Sequence, residues 1–216
     1  MMCFAGCGNF IFATAKADLR SVLSVPYKLF LPNLVRVALQ RLISSLGSKR
    51  LLNGLLFQLG WFACILGGDV IALLATAALL LLHGLLIVSN KREWLFIVTV
   101  ALLGFVVDTG LALLHVFQFE HASLGYIPVW LVCIWVLFAT TLNHSLGWLQ
   151  HKLHLAVLLG AISAPLSYLA GSKIATVVLL DPLYLSLLPI SVCWALILPL
   201  LLIVNHYYWS KISYRV

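Results

Sequence analysis

Residues 70–88, VIALLATAALLLLHGLLIV, run for nineteen positions without a charged side chain. At about 1.5 Å of rise per residue a helix of that length covers about 28 Å, close to the ~30 Å hydrocarbon core of a bilayer. The run shows no period-2 alternation and no turn signals, which argues for a spanning helix and against a strand of an outer-membrane barrel. It has company: 63% of the 216 residues are hydrophobic and 9% are charged, with a mean hydropathy of +1.12. A water-soluble fold of this size cannot hide that much apolar surface. The expected fold class is therefore all-α, a polytopic membrane helical bundle.

Six spans are expected, at about 51–68, 70–89, 94–117, 127–147, 153–172 and 183–205. The connections are short, with turn chemistry in Gly67-Gly68-Asp69, Asn90-Lys91-Arg92-Glu93 and Asp181-Pro182. An inward N-terminus puts Lys16, Arg20, Lys28, Arg36, Arg41, Lys49, Arg50, Lys91, Arg92, Lys152, Lys211 and Arg215 on the cytoplasmic side and leaves Lys173 outside. Basic residues flank spans on the cytoplasmic face, so the topology is expected to be N-in, C-in. The same bias accounts for the net charge of +7, and no nucleic-acid partner is expected. Residues 51–210 make the transmembrane domain and 211–216 a cytoplasmic tail. Residues 1–50 are basic, and Leu34, Val35, Ala38, Leu39, Leu42, Ile43 and Leu46 share one helical face. That prefix reads either as a helix lying in the inner interface or as an over-long start, with the true start nearer Leu51. No signal peptide is expected, because neither a basic n-region nor an apolar h-region precedes FAGC at Phe4–Cys7.

Polar residues within the apolar runs are the candidates for function. Asp108 stands mid-span, where an acid is disfavoured by about 2.5–3.5 kcal/mol on insertion scales. Ala101, Gly104, Ala112 and His115 flank it at helical spacing, so that face should turn inward. Thr76, Ser167, Tyr168 and Ser191 fall at a similar depth and could supply hydroxyl donors. Nearer the cytoplasm come Asn53, Gln58, His83, Asn143, His144, Asn205 and His206. The densest polar stretch is FATTLNHSLGWLQHKLH, Phe138–His154, in which a threonine hydroxyl one turn away could fix the tautomer of His144. The binding candidates are thus Asp108, His83, His144, Asn143, Gln58 and Tyr168. His151 and His154 add an HxxH, but no HExxH or repeated histidine box is present, so no metal is expected and no cofactor is identified. The cysteines show no CxxC pair. GAISAPLSYLAG, Gly160–Gly171, aligns Gly160, Ala164, Ser167 and Gly171 for close helix packing, and Pro165 frees a carbonyl for a serine or water.

LLNGLLFQLGWFACILGG, the mid-span Asp108, IPVWLVCIWVLFATTLNHSLGWL and GAISAPLSYLAG together resemble a family of proteobacterial multi-pass inner-membrane proteins known as a domain of unknown function. The resemblance covers about residues 51–210 and implies a compact helical protein of the bacterial inner membrane with no assigned reaction. Three functions fit. The first is a binding or transport unit that uses the buried polar residues for a small molecule, a proton or a lipid. The second is an enzyme acting on lipid or isoprenoid, with His144 as general base and Asn143 or Gln58 as orienting groups; the scarcity of acids on that side argues against catalysis. The third is an accessory or scaffold protein whose small-residue stripes bind either a second copy or a partner membrane protein. The partner common to all three is the lipid bilayer.

Overall fold

The computed structural model describes residues 37, 49–88, 90–175 and 177–213; the expectations for the basic prefix fall outside them. Helix α1 runs over Lys49–Leu86 and breaks at Gly68. It is followed by α2 (Arg92–Leu113), the short strand β1 (Phe117–Phe119), α3 (Val129–Ala139), a 3-10 turn (Gly147–His151), α4 (Leu153–Ile174), β2 (Val177–Leu179) and α5 (Tyr184–Ser213). Among the described residues, four helices are long and apolar enough to cross a membrane: α1, α2, α4 and, over Tyr184–Tyr208, α5. They carry Leu66, Val70, Leu74, Leu102, Val106, Leu166 and Leu196 outward. An apolar periphery of this extent is the surface a bilayer covers.

Gly68 has φ 65° and ψ −171°, a region that side chains with a Cβ avoid. The chain folds back there: Cys64 lies 4.0 Å from Thr76, and a Cβ on Gly60 would meet Leu79. In one straight helix those residues would stand far apart, so 49–67 and 69–86 are two antiparallel halves. Asp69, just past the turn, caps the next layer by accepting the Trp130 N–H at 2.9 Å and the Ser123 hydroxyl at the start of α3. A Cβ added at Gly68 meets nothing within 4 Å, and the same holds for Gly110. Only backbone conformation separates the two sites. Gly68→Ala should therefore destabilise the protein by about 1–2 kcal/mol, while Gly110→Ala in a helix should be neutral or stabilise by up to about 1 kcal/mol. Equal shifts in thermal melting of the two variants would contradict this account of the turn.

Two departures from the sequence expectation stand out. The fourth span, expected over 127–147, is helical only over Val129–Ala139, about 16 Å long and too short to cross. The next residues turn instead, because the Thr140 and Thr141 hydroxyls donate to the Leu137 and Phe138 carbonyls at 2.7 and 2.6 Å and other side chains replace the missing helical bonds. The fold is also not purely helical. β1 pairs antiparallel with β2, Phe117 opposite Leu179, and Ser186 ties the ribbon to α5 by accepting the Leu180 N–H and donating to the Val116 carbonyl.

Helix packing follows the small residues. A Cβ on Gly160 would strike the Trp194 carbonyl, and one on Gly104 would strike the Trp135 ring. α4 consequently lies close on α5, while it barely touches the first half of α1. Pro165 leaves the Ala161 carbonyl without its helical donor, and the Ser191 hydroxyl of α5 donates to it at 2.7 Å.

Candidate functional site

Three features sit inside this frame: a buried carboxylate, a buried turn with a histidine and carboxylate cluster, and a cavity between them and the periphery. Asp108 of α2 is fully buried. Its Oδ1 accepts the Tyr168 hydroxyl at 2.5 Å and its Oδ2 accepts the Trp135 indole N–H at 2.7 Å. Gly104, one turn earlier, makes room for the Trp135 ring. The ring stacks on Trp194 at 4.8 Å between centroids. Of the hydroxyl residues expected at this depth, Tyr168 reaches the acid. The others do not: Thr76 lies beside Cys64, Ser167 accepts the Trp61 N–H at 3.1 Å, and Ser191 serves α4.

At the end that carries Lys49, Arg50, Lys91, Arg92 and Lys152, the turn 140–146 is held by distant side chains. Asn53 donates to the Thr140 carbonyl at 3.2 Å and to its hydroxyl at 3.4 Å, and accepts the Ser145 N–H at 3.2 Å and hydroxyl at 2.8 Å. Asn205 and Gln150 both donate to the Leu142 carbonyl. Non-helical backbone survives at membrane depth where protein groups satisfy it in this way. Against the expectation, the threonines do not orient His144. Its Nε2 lies 2.7 Å from Glu93 Oε1, and His83 Nε2 lies 3.0 Å from the same oxygen. His83 and Glu93 are 2% and 3% exposed, and the two imidazoles are edge to face at 5.2 Å. Asn143 is half-buried with its amide nitrogen unpartnered, as is the His83 Nδ1. His83, Glu93 and His144 offer ligand atoms within 4.8 Å of one another.

Glu93 was missed by the sequence reading because it stands in a charged turn, NKRE, that looks like solvated connection. The signal was its position: His83 closes one helix, Glu93 opens the next, and a connection this short must bring the two helix ends together.

A cavity of 690 Å3 lies between the first half of α1, α3, α4 and α5. It extends from Gly54 to Ile65 on α1 and from Leu159 to Gly171 on α4, about 16–18 Å along the helices. Phe57, Trp61, Ile134, Trp135, Phe138 and Trp194 give it apolar walls. Its mouth opens sideways where Gln58, Leu159, Ser163 and Leu166, all on the periphery, line it. Tyr168, Ser167, Thr141 and Ser145 supply hydroxyls along its length. Trp194 also lines it, and its buried indole N–H has no hydrogen-bond partner among the described residues. Of the six candidates, the cavity gathers Gln58 and Tyr168, with Asp108 behind Tyr168, while His83 and His144 meet elsewhere through Glu93.

The family described as "protein of unknown function (DUF2878)" matches residues 50–200, more than half of the chain. The chain belongs to that family. No curated protein and no solved structure matches it. The family match begins at the first described helix and takes in Asp108, Tyr168, the histidine and carboxylate cluster and the whole lining of the cavity, so these features belong to its domain.

Proposed function

We propose that this DUF2878 protein binds the apolar chain of a membrane amphiphile in its lateral cavity, in the inner membrane of a bacterium. The observation that carries this reading is the cavity itself. It runs about 16–18 Å alongside α1 and α4, is walled by aromatic side chains and is lined at its opening by exposed residues. Its volume lies in the range of ligand sites, about 300–1,000 Å3. A lipid tail enters such a cleft from the bilayer without crossing water, and the hydroxyls within it would accept or donate to a polar group at one end of the chain. In the same reading the halves of α1 count as two crossings and α3 with its buried turn as one, which makes six with α2, α4 and α5. The excess of Lys and Arg at the end that holds the turn 140–146 supports a cytoplasmic position for that end, N-in and C-in.

Native mass spectrometry with lipidomics on protein extracted in mild detergent tests the reading. Ser163 lies on the periphery at the mouth, and its hydroxyl bonds to the Leu159 carbonyl of its own helix, so Ser163→Trp should block entry with little effect on folding. The wild type should carry a co-purified single-chain amphiphile, and Ser163→Trp should lower its occupancy about tenfold, the equivalent of about 1.4 kcal/mol. Equal occupancy in the two proteins, or an empty wild type, would rule the proposal out.

A further inference from the structure

We propose that His83, Glu93 and His144 form a binding site for a divalent transition-metal ion of the zinc class. Each comes from a different element: His83 from the last turn of α1, Glu93 from the first turn of α2, and His144 from the turn after α3. All three ligand atoms converge, since both Nε2 atoms lie within 3.0 Å of one carboxylate oxygen. Ligands of a tetrahedral zinc at about 2.0–2.1 Å stand about 3.3 Å apart, so each Nε2 has to move off the carboxylate oxygen by about 0.3–0.6 Å, while the three ligand atoms, within 4.8 Å of one another, settle to that spacing around the ion. Two imidazoles and a carboxylate suit zinc and its first-row neighbours better than calcium or magnesium, which prefer all-oxygen shells.

The alternative, a triad held by hydrogen bonds alone, leaves the buried carboxylate charge uncompensated whenever both imidazoles are neutral. Both imidazoles would have to donate through Nε2 to the same oxygen. The carboxylate is 3% exposed, and its ion pairs are to imidazoles, which are charged only when protonated. A dication supplies the compensating charge where burial makes a lone carboxylate costly. Packing also fixes the donors. Trp94 stands edge-on to His83 at 6.3 Å, and Gly84 admits the Trp94 ring. The His144 side chain is 18% exposed, which gives an ion a way in. Three protein ligands leave a position for water or another small oxygen ligand, as in zinc sites that are not purely structural.

The test uses the full chain in mild detergent, stripped with a chelator and titrated with Zn2+, then with Co2+ as a spectroscopic probe. The expected result is about one zinc per chain by elemental analysis, together with the intense visible bands of four- or five-coordinate Co2+. Zinc should also raise the melting temperature of the wild type. His144→Gln and Glu93→Gln should each weaken zinc binding at least about 100-fold, since loss of even an outer-shell partner costs about 10–100-fold. His151→Gln and His154→Gln should leave it unchanged. The wild type decides the question if a variant fails to fold. Absence of stoichiometric zinc, or octahedral Co2+ spectra with no thermal shift, overturns the site. So does full binding by folded His144→Gln, or loss of binding in His151→Gln. Because this outcome does not depend on whether the cavity holds a lipid, either proposal can fail alone.

Discussion

Asp108→Ala should lower the unfolding free energy by about 2–5 kcal/mol, because it strands two buried hydrogen-bond donors. Two donors converge on this carboxylate, Tyr168 O–H on one oxygen and Trp135 N–H on the other. Deleting the acceptor leaves both donors without a protein partner, at about 1–3 kcal/mol each. Tyr168→Phe removes one donor and leaves the carboxylate its bond to Trp135, so it should cost less. A double-mutant cycle between Asp108→Ala and Tyr168→Phe should show coupling of about 1–3 kcal/mol. Asp108→Asn should fall between wild type and alanine: its amide oxygen still accepts one donor, while its NH2 must face the other. Equilibrium unfolding in mixed micelles checks the four variants against the wild type. An Asp108→Ala variant within about 1 kcal/mol of wild type would mean that the two donors find other acceptors and that the pairing is not what keeps an acid in this helix.

How much of this was visible beforehand depends on how local the cause is. Gly67-Gly68-Asp69 announces a reversal because a residue free to take positive φ stands between two apolar runs. Asp108 faces inward because its helical neighbours Ala101, Gly104 and Ala112 are small, and Pro165 announces a free carbonyl because its missing N–H is a property of the residue itself. The break after Ala139 is different. Thr140 and Thr141 are compatible with a helix, and their turn forms because Asn53, Asn205 and Gln150, from other parts of the chain, supply the bonds that a helix would have made. Gln150 is near in sequence, but no window around residue 140 contains Asn53 or Asn205. The β1 and β2 ribbon was missed for the same reason, since Phe117–Phe119 and Val177–Leu179 are too short to signal as strands and gain meaning only when paired. The cavity is a product of three-dimensional packing: α4 is drawn onto α5 at Gly160, and the space on its other flank stays open.

The second large effect follows from that buried turn. Asn53→Leu keeps the branched shape and heavy-atom count of asparagine and removes both its donor and its acceptor, so the Thr140 carbonyl and the Ser145 N–H lose the partner that holds them. Two stranded buried groups should cost roughly 2–5 kcal/mol in unfolding free energy. Gln150→Leu makes the contrast. Its amide donates to the Leu142 carbonyl, which Asn205 also reaches at 3.3 Å, so the loss should stay below about 1 kcal/mol. Hydrogen exchange separates a local from a global effect, because Asn53→Leu should raise exchange at residues 141–146 well before it does so in α2 or α5. The same variant should loosen His144, which rides on this turn, and weaken its contact with Glu93, whereas Gln150→Leu should leave that contact intact. If Asn53→Leu and Gln150→Leu prove equally mild and exchange in the turn is unchanged, the turn is held by the threonine hydroxyls and the packing of Leu142 and Leu149, and Asn53 does not set where α3 ends.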